Sequence, residues 1–75
     1  MNVRLEIQLA NKPGALVRVL GLAERRGFAP FRVQAAPCGP TTQMVHLTVS
    51  DDRPVEQLVR QIQKLYDVRH VERRR

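Results

Sequence analysis

Leu9-Ala10-Asn11-Lys12-Pro13-Gly14-Ala15-Leu16 is the stretch on which the reading of this chain turns. Upstream, Val3, Leu5, Ile7 and Leu9 alternate with Arg4, Glu6 and Gln8, the period of a strand with one buried and one polar face. Downstream, Leu16, Val19, Leu20 and Ala23 recur at three- and four-residue spacing, which predicts a helix from about Gly14 to Arg26 with Gly27 as a left-handed C-terminal cap. The hydrophobic period therefore changes across Asn11 to Gly14. The chain leaves a strand there, turns tightly and enters a helix.

The same reading extends to the C-terminus. Phe28 to Pro37 is a second strand with Phe31, Val33 and Ala35 on one face, and Pro30 and Pro37 place it at a sheet edge because each removes a ladder donor. After the turn Cys38-Gly39-Pro40, Gln43 to Ser50 alternates Val45, Leu47 and Val49 with Met44, His46 and Thr48. Asp51 or Asp52 is positioned to cap a second helix with Pro54 near its first position and Val55, Leu58, Val59, Ile62 and Leu65 on one stripe. Tyr66 to Arg73 is a last strand, but Val68 and Val71 are three apart. Either Val68 belongs to the turn or the strand is irregular. The order βαββαβ, with right-handed crossovers, predicts an α+β ferredoxin-like fold: a four-stranded antiparallel sheet with two helices on one face. One domain is expected over residues 1–75, with its core at about 3–72 and a basic tail from Arg73 to Arg75.

Composition narrows the function. A 75-residue domain buries little core, so pairing or docking on a larger partner is expected. No apolar run approaches the roughly 20 residues of a membrane span, and no leader pattern follows Met1, so a cytoplasmic protein without membrane attachment is expected. Cys38 is the only cysteine, and His46 and His70 stand apart, which excludes a disulfide framework and any metal-ligand spacing. The formal net charge of +6 raises nucleic acid as a partner. Arg18, Arg25 and Arg60, however, occupy polar helix positions where a solvated face explains them.

The expected central strands, Val3 to Leu9 and Gln43 to Ser50, carry no aromatic residue on which a base could stack, which argues against RNA recognition. The loop after the first strand has no cysteine pair for copper, and the acidic residues form no acid/base motif. Two readings of the turn stand at this point. Gly14 and Ala15 open a helix whose first N–H groups lack intrahelical partners and attract a carboxylate, with the Asn11 amide beside them. Alternatively, Asn11, Pro13 and Gly14 only make a tight connection.

Residues 9–22 together with Arg26-Gly27-Phe28 resemble the ACT domain of acetolactate synthase small subunits, and Gln63-Lys64-Leu65-Tyr66-Asp67-Val68-Arg69-His70-Val71 is similar to that family's closing segment. The resemblance implies a non-catalytic regulatory subunit in branched-chain amino-acid synthesis that associates with and activates a catalytic subunit. Thiamine diphosphate, Mg and FAD would belong to that larger subunit, with no cofactor in this chain. It further implies a homodimer formed through strand edges and first helices, with no nucleic acid or membrane as partner. An amino acid would bind at the junction, between Asn11, Gly14, Ala15 and Leu16 of one chain and Ala29 and Pro30 of its neighbour. Many family members have Asn where this chain has Ala29, and Pro30 lacks an N–H, so valine feedback is expected to be weak or absent. The chain resembles the short, single-domain members. Two alternatives remain: a stand-alone ACT sensor serving another enzyme or regulator, and a basic RNA-binding module using the Arg73–Arg75 tail.

Overall fold

Residues 1–74 are described by a computed structural model, in which the alternating segment becomes β1 (Asn2–Ala10). Leu5, Ile7 and Leu9 are wholly buried and Val3 nearly so, as the period requires. To one side β1 pairs antiparallel with β3 (Thr42–Ser50), setting Leu5 opposite Leu47 and Ile7 opposite Val45. To the other it pairs antiparallel with β4 (Val68–Arg74). β2 (Pro30–Pro37) lies outside β3, so the sheet order is β2-β3-β1-β4 and the proline-bounded strand is an edge. The helices α1 (Ala15–Arg25) and α2 (Val55–Gln63) bury Val19, Leu22 and Ala23, and Val55, Leu58 and Ile62, in one core with the strands. This is the ferredoxin-like βαββαβ arrangement.

Five local details differ from, or complete, the sequence reading. The strand expected from Phe28 starts at Pro30, because Phe28 instead completes the cap of α1. Its N–H donates to the Ala23 carbonyl at 2.9 Å, and the Gly27 N–H donates to Glu24 at 3.0 Å with Gly27 at φ 85°, a Schellman closure that buries Phe28 against the core. The register of β2 also slips between Pro30 and Arg32, so Phe31 does not share the face of Val33 and Ala35 through simple alternation.

Neither Asp51 nor Asp52 caps α2. Pro54 is the N-cap and makes no side-chain hydrogen bond, while Asp51 pairs with the Met1 amine at 3.2 Å. The irregular last strand is real. Leu9 faces Val68 but Gln8 faces His70, so Arg69 is an extra residue and the three-residue spacing puts Val68 and Val71 on the same side. Arg73 and Arg74, expected in a tail, lie within β4; Arg75 lies outside the described residues.

Candidate functional site

The turn is held by its own backbone. The Asn11 N–H donates to the Thr41 carbonyl at 2.9 Å, Lys12 to Ala10 at 3.0 Å, and Ala15 back to Lys12 at 3.2 Å. Gly14, the N-cap, has φ 84° and ψ −12°, a left-handed conformation that an L side chain resists. No side chain caps α1, and its first turn contains no acidic residue. Because the Arg18 N–H already reaches the Gly14 carbonyl, the N–H groups of Leu16 and Val17 are the ones without an acceptor among the described residues. An anion placed there would also meet the positive end of the helix dipole.

Beside this turn lies a hollow of about 260 Å³ floored by Leu9, Ala15 and Leu65, with Tyr66 at its edge. Its polar centre is Asp67, whose side chain is only 9% exposed. Arg18 Nη1 donates to Asp67 Oδ2 at 2.6 Å, and Lys12 Nζ lies 3.3 Å from Oδ1 while also standing 5.5 Å from the Tyr66 ring centre. The Asp67 carbonyl accepts the Ala10 N–H at 2.8 Å. Two cations thus share one carboxylate, leaving the mouth of the turn electropositive.

From the sequence, Arg18 falls on a polar helix face and Asp67 belongs to no acid/base motif. Partners forty-nine residues apart leave no trace in spacing, although the Lys-Leu-Tyr-Asp-Val segment that contains Asp67 was itself recognisable.

Of the expected site residues, Asn11 and Gly14 are exposed, Ala15 is buried and Leu16 half-buried, and all four lie on the one turn. Ala29, exposed, and Pro30, half-buried, are not brought to it within a single chain. Pro30 shares a row of the sheet with Val49 and Val3, whereas Asn11 follows Ala10, opposite Thr42. That separation along β1 is about 23 Å at roughly 3.3 Å per residue. A two-fold axis beside the β2 edge, with the two edges antiparallel, would carry the neighbour's Pro30 end to this chain's Pro37 end, which lies opposite Gln43 on the side of the turn. Phe31 on that edge is 63% exposed and Val17 on α1 is 71% exposed, while Val33 is also exposed; these are apolar side chains of the kind a partner covers.

This fold and turn fall in a known class: residues 11–71 match the family model described as an ACT domain. The chain is 38% identical over 73 residues to the acetolactate synthase isozyme 1 small subunit of Escherichia coli K12, covering 96% of this chain and 76% of that one. It is 39% identical over 69 residues to the isozyme 3 small subunit of the same organism, covering 89% of this chain and 42% of that subunit. The crystal structure of the small subunit from Thermotoga maritima superposes with a TM-score of 0.86 at 28% identity, over 97% of this chain and 47% of that one. The chain belongs to the ACT-domain family of acetolactate synthase small subunits.

Proposed function

We propose that this chain is a non-catalytic regulatory subunit that associates with a thiamine-diphosphate-dependent acetolactate synthase catalytic subunit and raises its activity, with weak or no valine feedback. The observation that carries the reading is the 38% identity spanning 96% of the chain to a protein named as such a small subunit. The geometry supports a regulatory rather than a chemical role. The polar cluster at the turn is an ion-paired carboxylate between two cations, an arrangement that holds loops together and leaves no free base or nucleophile. Thiamine diphosphate, Mg and FAD then belong to the larger partner, and the reaction is cytoplasmic.

The unit that docks is a homodimer formed along β2 and α1, in which Val17, Phe31 and Val33 are covered. In that dimer an amino-acid carboxylate lies at the Leu16 and Val17 amides of one chain, and the Ala29-Pro30 segment of the other forms the far wall. Neither Ala29 nor the Pro30 backbone has a hydrogen to donate to it from a side chain or imide nitrogen, which is the basis for weak feedback.

Mixing the purified chain with the large acetolactate synthase subunit of the same genome tests the reading. Co-elution and a higher rate of acetolactate formation are expected. Absence of both association and a rate change would overturn it.

A further inference from the structure

We propose that the groove between the end of α1 and the start of α2 docks an acidic surface segment of the catalytic subunit, an inference that rests on the subunit role proposed above. Arg25 at the end of α1, Arg26 just after it, Arg53 before α2 and Arg60 within α2 line one groove of about 560 Å³. Its apolar floor is small, since Phe28 is 4% exposed and Leu58 is 1% exposed. What the groove presents to a partner is chiefly guanidinium, together with the amides of Gln57 and Gln61.

The groove gathers four of the eight Lys and Arg side chains that make no ion pair among the described residues; the other four, Arg4, Arg32, Lys64 and Arg69, do not line it. Arg18 and Lys12 are paired with Asp67, Arg73 with Glu56, and Arg74 with Glu6 and Glu72. Among the described residues no carboxylate pairs with any of the four groove arginines. Glu24 and Asp52, their sequence neighbours, make no ion pair either and do not line the groove.

Helix electrostatics accounts for every member of the set except Arg53, since Arg60 lies in the last turn of α2. Arg25 and Arg26 suit the negative C-terminal end of α1, but Arg53 stands just before α2, at the positive end, where a cation is disfavoured. The Arg53 side chain nonetheless lies close against Gly27. Gly27, at φ 85°, leaves room for it, and a Cβ at that position would stand 2.6 Å from Arg53 Nε. A charge that opposes its own helix, seated on a bare glycine beside three others, is accounted for by an external anion.

The chemistry favours a protein segment over a phosphate chain. Carboxylates and phosphates both match planar guanidinium groups in bidentate fashion, so the choice rests on the groups beside the arginines. Gln57 and Gln61 provide acceptors as well as donors and so match a peptide backbone, which offers both, whereas a phosphodiester offers acceptors only. The groove has no exposed aromatic face for a base, since its one aromatic residue, Phe28, is buried.

The test compares two charge-matched double variants in binding to the purified catalytic subunit across a salt series: R25E/R60E in the groove and R4E/R69E elsewhere on the chain. The R25Q/R60Q pair serves as a milder version, and thermal melts confirm folding. Expected are a loss of affinity of about tenfold or more and a flatter salt dependence for the groove pair, against a change within about threefold for the control. Equal weakening by both pairs, or an unaffected groove pair while the wild type binds, overturns the docking site and leaves the subunit role standing. No binding by the wild type removes the subunit role and the docking site together. A parallel titration uses tripolyphosphate and a single-stranded RNA. Tight binding of either that the groove variant abolishes would assign the groove to phosphate and overturn the inference.

Discussion

Arg18 in the second turn of α1 donates to Asp67, the residue before β4, across 2.6 Å, and so ties the strand-to-helix turn to the opposite end of the chain. Asp67 also receives Lys12, so removing the carboxylate releases both cations while removing either cation leaves one pair intact. Asp67→Ala is expected to destabilise the fold by about 1–3 kcal/mol, the range for losing hydrogen bonds to a buried charged group. Arg18→Ala and Lys12→Ala should cost less, about 1 kcal/mol or below, because both side chains are more than half exposed and solvent screens them. Urea denaturation of the three variants checks the order; an arginine variant weaker than the aspartate variant would place the stabilisation elsewhere.

The glycines of α1 should respond with opposite signs. Gly14→Ala forces a side chain into a φ of 84° and is expected to cost about 1–2 kcal/mol, even though the nearest group, Arg18 Nη2, lies 3.6 Å from the new Cβ. Gly21 is inside the helix, and its Cβ would meet only the tip of Arg25 at 3.4 Å. Gly21→Ala is expected to stabilise by about 0.5–1 kcal/mol through helix propensity. Paired melts decide it, and destabilisation by both would mean that the face of Gly21 is already packed against a neighbour.

The contrast between those positions also shows what was legible in the sequence. Both strand–helix periods, the Gly27 cap and the edge position of β2 follow from local patterning, because burial on one face imposes a period of two or about 3.6 whatever the partner. Phe28 looked like a strand residue because its apolar side chain is buried, yet a cap buries it as well as a strand would. Asp51 had the chemistry of a helix cap but found the Met1 amine, a partner supplied by β1 pairing with β3. The three-residue spacing of Val68 and Val71 already signals an irregular β4, but the Arg18–Asp67 pair and the arginines around Phe28 depend on which segments become neighbours, and no spacing rule encodes that.

The open face of the sheet carries a pH response. Arg74 Nη2 donates to Glu6 Oε1 at 3.2 Å and holds the Glu6 carboxyl below its ordinary value of 4.5, while Glu6 raises Arg74. Folding therefore lowers the Glu6 pKa, and the resulting stability is fully present above the ordinary carboxylate value. It is lost as pH falls below that value and through the lower folded one. Wild type should accordingly lose more stability than Glu6→Gln between about pH 5 and about pH 3. Identical acid limbs in chemical denaturation would show that the bond is too solvated to matter.

Ala29 is where the proposed amino-acid site is most open to repair. In the dimer proposed along β2, this residue of one chain faces the Asn11–Leu16 turn of the other, and its methyl group forms no hydrogen bond. Ala29→Asn supplies an amide with both donors and an acceptor. One recovered hydrogen bond to a charged ligand, about 1–3 kcal/mol, corresponds to a gain in valine affinity of about fivefold to a hundredfold, measurable by calorimetry. The gain should vanish in an A29N/F31E double variant, because a charge at the exposed Phe31 opposes edge pairing and the site needs both chains. Sedimentation would show that variant as a monomer. If A29N binds valine no better than wild type while the protein remains dimeric, the turn serves only to connect β1 to α1, and its free amides have no ligand.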